Sequence, residues 1–129
     1  GFFLLKFSFP AEERLKSRKA IEGLFEKGNT QFKWPVLLFW KVSDVPREVP
    51  LQAGFTVSSR NFKKAVQRNL LKRRMREAYR LHKSTLMEQL ENKQLSLDLM
   101  FVYQAKEITE YTDVEVAVKR LVGLLTKNI

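Results

Sequence analysis

Cysteine is absent from this chain of 129 residues, and histidine occurs only once. The sequence therefore excludes a disulfide, a thiolate nucleophile and a cysteine-type zinc site. Glycine is scarce, with five residues, and the sequence has no glycine-rich phosphate-binding loop. No apolar run approaches the length that spans a bilayer. We therefore expect neither cysteine chemistry nor a membrane partner.

Catalytic groups are not evident either. A protein nuclease needs a general base or a cluster of carboxylates that holds a metal. His82 ends a basic stretch, Asp98 heads a predicted strand, and Asp113 lies at a predicted helix start, where the helix dipole accounts for it. We expect no catalytic residue, no metal ligand and no small-molecule substrate, so any catalysis belongs to a partner.

Length and composition are those of one globular domain. An apolar content of 44% with 29% charged residues is ordinary for such a domain. We expect one domain over residues 1–129, with residues 1–10 flexible or artificial in origin, because Gly1 stands in place of a methionine. Residues 1–5 are too few for a signal peptide and have no basic leader. The lack of cysteine suits a cytoplasmic location.

Acidic residues are almost missing from one stretch, Arg60 to Lys83. It contains ten Lys or Arg residues and the single acid Glu77, a local charge of +9 in a chain of net charge +10. The rest of the chain is nearly balanced. A solvated helix face would show acids spaced four residues from the bases. We therefore predict that this stretch binds a polyanion, most simply a nucleic acid.

Helical spacing places six polar side chains of this stretch on one face. They are Asn69, Lys72, Arg73, Arg76, Arg80 and Lys83. Apolar residues occupy the rest of the cylinder and need a sheet or a helix to cover them. Arg74 breaks the pattern and is expected to extend away from the apolar arc.

The basic stretch also contains a family signature. It consists of an Ala, an Arg-Asn pair, an aliphatic residue, a Lys-Arg pair and a final Arg, in this order and at fixed distances along the chain. The matching residues are Ala65, Arg68, Asn69, Leu71, Lys72, Arg73 and Arg76. The chain thus resembles the protein subunit of bacterial ribonuclease P. Leu70 stands where that family often has a second arginine. The similarity extends to residues 14–28 and to the C-terminal strand and helix.

The resemblance implies the non-catalytic subunit of an endoribonuclease. Such a subunit assists a magnesium-dependent RNA in removing the 5′ leader of precursor tRNA, so the implied partners are ribonuclease P RNA and precursor tRNA, with Mg²⁺ held mainly by the RNA. The implied RNA-subunit-binding residues are Arg60, Lys64, Arg68, Asn69, Lys72, Arg73, Arg76 and Arg80. The implied leader-binding residues, in a cleft between the sheet and the first helix, are Ile21, Phe25, Phe39, Lys41, Thr56 and Ser58.

Other interpretations remain open from the residues alone. The chain could be a stand-alone RNA-binding module, such as a ribosomal protein, or a helix-turn-helix DNA reader. The DNA reader fits worst, because the basic helix follows a strand. Phe25 and Phe39 are ordinary core aromatics unless the resemblance holds. Asn69 is able to bond backbone groups near a helix start.

Hydrophobic periodicity predicts an α+β sandwich with a mixed sheet of about four strands and three helices. The predicted strands are 31–34, 36–42, 51–57 and 97–103. Helices are predicted after an N-cap at Ser17, in the basic stretch with residues 84–90 as its continuation, and from a Thr112–Glu115 capping box. The basic helix connects two parallel strands. Such a crossover is ordinarily right-handed, whereas the resemblance implies a left-handed one.

Overall fold

The computed structural model describes residues 8–43 and 47–129. The expectations for the N-terminal end therefore lie largely outside the described residues, and the same holds for the middle of the polar turn predicted at residues 43–50.

Four strands form one mixed sheet. They are β1 (Asn29–Lys33), β2 (Val36–Val42), β3 (Leu51–Val57) and β4 (Leu97–Tyr103), in the order β1-β2-β4-β3. β2 runs antiparallel to both β1 and β4, while β3 and β4 are parallel. The parallel pair confirms the predicted β-α-β crossover, whose handedness stays a prediction.

The described residues contain four α-helices, one more than the sequence predicts. They are α1 (Arg18–Lys27), α2 (Ala65–His82), α3 (Ser84–Lys93) and α4 (Tyr111–Asn128). The additional helix is α3, whose residues are predicted from the sequence as a continuation of the basic helix. α3 is separate because its own apolar residues, Leu86 and Leu90, are fully buried in the core and α3 packs against α4.

The main core lies between the sheet and the α2–α4 layer. Val36 and Leu38 of β2, with Leu99 and Phe101 of β4, contribute fully buried side chains to it. Burial of each such side chain contributes about 1.5–3 kcal/mol. Phe55 of β3 stacks on Phe101 with ring centroids 5.4 Å apart. This packing holds the apolar stripe of α2 inward, so the polar side of α2 must face outward.

A smaller core lies on the opposite face of the sheet, under α1. Leu24 of α1 is fully buried there against Leu15 and Met100. Gly54 leaves room for the Met100 side chain, whose Cε would lie 2.7 Å from a Cβ at that position. α1 therefore rests directly on the sheet and forms one wall over this face.

Helix starts follow the sequence in one case and differ in another. Ser17 caps α1 as predicted, and its Oγ accepts a hydrogen bond from the Ala20 amide at 3.2 Å. The predicted Thr112–Glu115 capping box is wrong, because the N-cap of α4 is Glu110, two residues before Thr112, and it makes no side-chain hydrogen bond. The Tyr111 hydroxyl instead donates to Glu115 Oε2 at 3.2 Å.

Candidate nucleic-acid interface

The outward side of α2 forms what we call the α2 basic face, made of Asn69, Lys72, Arg73, Arg76 and Arg80. Asn69, Arg73 and Arg76 are exposed, and Lys72 is half-buried. A shallow groove on this face is lined by Asn69, Arg73, Arg76 and the apolar Val66 and Leu70. Val66 is 78% exposed, which is unusual for an aliphatic side chain. The face therefore presents cations beside an open apolar surface.

Ion pairing divides the α2 basic face. Arg80 binds Glu77 with two hydrogen bonds, Nη2 to Oε1 at 2.5 Å and Nε to Oε2 at 3.1 Å. These bonds lower the pKa of the Glu77 carboxyl and raise the pKa of Arg80. Within residues 8–43 and 47–129, Arg73 and Arg76 have no ion-pair partner. Their charge is available to a polyanion, whereas Glu77 offsets that of Arg80.

Arg68 is committed to the loop that precedes α2. Its Nη1 donates to the carbonyl oxygens of Phe62 at 2.7 Å and Lys63 at 2.8 Å. Arg60 is fixed in the same loop, where its backbone amide donates to Ser58 Oγ at 3.1 Å. The exposed Lys64 is the N-cap residue of α2. Arg68 thus sets the shape of the loop that carries these two exposed cations.

Lys83 does not belong to the α2 basic face, contrary to the sequence prediction. It is 1% exposed, and its Nζ contacts the Glu13 carboxylate and the Ser8 carbonyl. The helix ends at His82, so the helical spacing that placed Lys83 on the face does not reach it. No local signal in the sequence indicates a partner as far away as Glu13.

Two more residues of the basic stretch, Arg74 and His82, lie away from the outward face of α2. Arg74 Nη1 donates to the Thr109 carbonyl at 2.5 Å, which ties α2 to the segment before α4. His82 Nε2 lies 4.0 Å from Glu115 Oε2.

In the part of the chain that the structure describes, no group of three His, Asp or Glu side chains is placed to hold a metal ion. None of the helices described is long and apolar enough to cross a membrane.

The α1 side of the sheet carries two rows of side chains aligned by strand pairing. The first row is Gly54, Met100, Phe39 and Thr30, and the second is Thr56, Val102, Leu37 and Phe32. Met100 and Phe39 of the first row and Val102 of the second pack in the small core under α1, whereas Thr30 is exposed. The second row ends at Phe32, which is 53% exposed. We call the open surface between α1 and the second row the sheet cleft.

The predicted leader-binding residues all lie on this α1 side. Phe25 of α1 meets Phe39 of β2 edge to face, with ring centroids 4.9 Å apart. Phe25 is 46% exposed, while Phe39 and Ile21 are half-buried against the small core. Phe39 is therefore partly a core residue, and Phe25 is the ring that is more open to a ligand.

The remaining predicted residues flank this aromatic pair. Lys41 pairs in register with Asp98 of β4, one row beyond Phe39, and Thr56 belongs to the second row. Ser58 follows β3 and accepts the hydrogen bond from the Arg60 amide. Phe32 is a further cleft residue, which is not among the residues predicted from the sequence. The signal for it was the alternation of Thr30 and Phe32 with polar neighbours in β1.

Comparison with known proteins identifies the family of this chain. The family model described as Ribonuclease P matches residues 9–127. A ribonuclease P protein component of Porphyromonas gingivalis is 28% identical over 123 residues, which cover 95% of this chain and 90% of that relative. One from Chlorobium phaeobacteroides is 42% identical over 82 residues, 61% of this chain and 56% of the relative.

Solved structures show the same fold. The RNase P protein of Staphylococcus aureus superposes with a TM-score of 0.67 at 19% identity, over 87% of this chain and 94% of that one. The RNase P protein of Thermotoga maritima gives a TM-score of 0.65 at 22% identity, over 89% and 96% of the two chains. The match of the family model over nearly the whole chain decides the assignment. This chain belongs to the ribonuclease P family, as a ribonuclease P protein component.

Proposed function

We propose that the α2 basic face holds the RNA subunit of ribonuclease P and that the sheet cleft receives the 5′ leader of precursor tRNA. The observation that carries the first part is the exposure of Arg73 and Arg76, which form no ion pair among the described residues, on the helix with the family signature. Each phosphate that such a side chain neutralises releases counterions, so binding weakens as salt rises. Arg60 and Lys64 extend the same charge onto the preceding loop.

The cleft part of the proposal is supported by its exposed aromatic rings. A leader is single-stranded, and its bases can stack on aromatic side chains, with about 1–3 kcal/mol per base. Phe25 and Phe32 are roughly half exposed as residues, at 46% and 53%. The edge-to-face contact between Phe25 and Phe39 fixes the first ring in place. The rings of Phe25 and Phe32 therefore lie at the two sides of an otherwise open surface of the sheet.

The catalytic chemistry in this proposal belongs to the RNA, with Mg²⁺ as its metal. The described residues have no cluster that fits a metal ion, so this chain is not expected to hold one. Its own contribution is charge and position. Two polyanions repel each other as they assemble, and cationic side chains reduce that repulsion as metal ions do. The effect of the protein on cleavage is therefore expected to be largest when Mg²⁺ is scarce. We also expect the protein to act in the bacterial cytoplasm, together with its RNA.

Reconstitution tests the proposal. The protein is added to a bacterial ribonuclease P RNA over a series of magnesium concentrations, and cleavage of a precursor tRNA at the mature 5′ end is followed. We expect no cleavage by RNA-free protein and a stimulation that is largest at the lowest magnesium. Cleavage without RNA, or stimulation that does not depend on magnesium, would contradict the mechanism.

A further inference from the structure

A second basic surface lies at the β1 edge of the sheet, away from the β3 edge. The groove between β1 and α4 is lined by Lys33, Arg120, Gly123, Leu124 and Lys127. We call it the β1–α4 groove. All three of its charged side chains are cations, and all three are exposed. α4 packs against β1 at one edge of the sheet, whereas α2 packs against β3 at the other edge.

The sequence builds this groove on two elements. Arg120, Leu124 and Lys127 follow the spacing i, i+4, i+7, which places them on one stripe of α4. Lys33 faces the same layer, because its register partner is the fully buried Val36. Gly123 leaves the floor open, since a Cβ added there would meet nothing within 4 Å. The groove is thus a surface that the protein's own core leaves uncovered.

Charge indicates the class of partner. Across the described ranges, none of Lys33, Arg120 and Lys127 takes part in an ion pair. Like charges that line one groove repel one another, and salt screens part of that repulsion. A sugar-phosphate backbone would remove that repulsion, and an acidic protein surface is the competing class. RNA is favoured because the proposed function already brings two RNA molecules to this chain.

We propose that the β1–α4 groove is a second RNA-binding surface that takes phosphates of a sugar-phosphate backbone. This inference rests on the proposed function. The RNA subunit and the precursor tRNA offer the same phosphate chemistry, so the experiment must separate them. Because the groove and the α2 basic face lie at different edges of the sheet, their contributions to binding should add.

The test uses Arg120→Ala with Lys127→Ala, and Lys106→Ala as the control. Lys106 is exposed and carries the same charge, but it lies beside Glu107 outside the groove. Binding to ribonuclease P RNA is measured against salt, and binding of precursor tRNA is measured with the reconstituted holoenzyme. Each lost phosphate contact lowers the slope of log K against log salt by about 0.7–0.9. We expect a reduction of about 1.5 for the double variant, with an unchanged melting temperature.

The RNA that shows the reduced slope identifies the source of the phosphates. A reduction with the RNA subunit assigns the groove to the ribozyme, and a reduction only with precursor tRNA assigns it to the substrate. Slopes for both RNAs that match the Lys106→Ala control would overturn the inference and leave the acidic partner. Failure of the unmodified protein to stimulate cleavage would instead refute the proposed function, so the two failures are distinguishable.

Discussion

The buried pair of Lys83 and Glu13 makes a sharp prediction about stability. Their exposed fractions are 1% and 8%, and Lys83 also contacts the Ser8 carbonyl. The Lys83 Nζ lies 5.7 Å from the centre of the Phe9 ring. Lys83→Ala would leave the Glu13 carboxylate buried without its cation. Removal of one partner of such a pair costs about 3–5 kcal/mol.

The expected loss is large enough to measure by heating. For a domain of this size, 1 kcal/mol corresponds to a shift of a few degrees, so Lys83→Ala should lower the Tm by roughly 10–20 °C. Circular dichroism melting measures this directly. The double variant Lys83→Met with Glu13→Leu serves as the matched control, because it removes both charges and keeps most of the volume. It should recover most of the loss, since apolar replacement of a buried pair is often neutral or stabilising.

Two results would refute this reasoning. One is a Tm for Lys83→Ala within about 2 °C of the unmodified protein, which would mean less than about 1 kcal/mol. The other is a double variant as unstable as the single one, which would show that packing, not charge, holds this site. The salt slope of RNA binding should not change in the double variant, since Lys83 lies outside the α2 basic face.

Three further predictions concern single side chains. Glu77→Gln should strengthen RNA binding several-fold and steepen its salt slope, since it removes the negative charge that is paired with Arg80; the Glu77–Arg80 pair itself is present above pH 4.5 and is lost as pH falls through the lowered pKa of Glu77. Arg68→Ala should weaken RNA binding and also lower the Tm, since the loop loses two hydrogen bonds of about 1.5–3 kcal/mol each; an unchanged Tm would mean that the loop does not need them. Phe25→Ala should cost about 1–3 kcal/mol of precursor tRNA affinity and leave mature tRNA unaffected, and an equal loss for both would remove Phe25 from the leader site.

Much of the fold follows from local patterns in the sequence. The alternation of residues along β2 puts Phe39 and Lys41 on one side of the strand and Leu38 on the other, in agreement with the burial pattern of β2. Helical spacing likewise oriented Arg73 and Arg76 outward. Such patterns work because each residue's direction depends only on its own element.

The features that the sequence did not reveal depend on tertiary contacts. Glu13 and Lys83 are distant in the chain and meet only after the segment before α1 lies along β3, where the Leu15 amide donates to the Ala53 carbonyl at 2.9 Å. Arg68 resembles its cationic neighbours until the preceding loop folds back to it. Phe32 reaches the sheet cleft through its pairing with Leu37. The local sequence carries no signal for tertiary contacts of this kind.

The salt dependence of RNA binding tests the central claim most directly. The variant Lys72→Ala with Arg73→Ala and Arg76→Ala removes three of the four cations of the α2 basic face without touching Arg68 or the core. We predict that its slope of log K against log salt for ribonuclease P RNA falls by about two to three units, while its Tm stays close to that of the unmodified protein. An unchanged slope and affinity in this correctly folded variant would contradict the claim that α2 holds the RNA subunit.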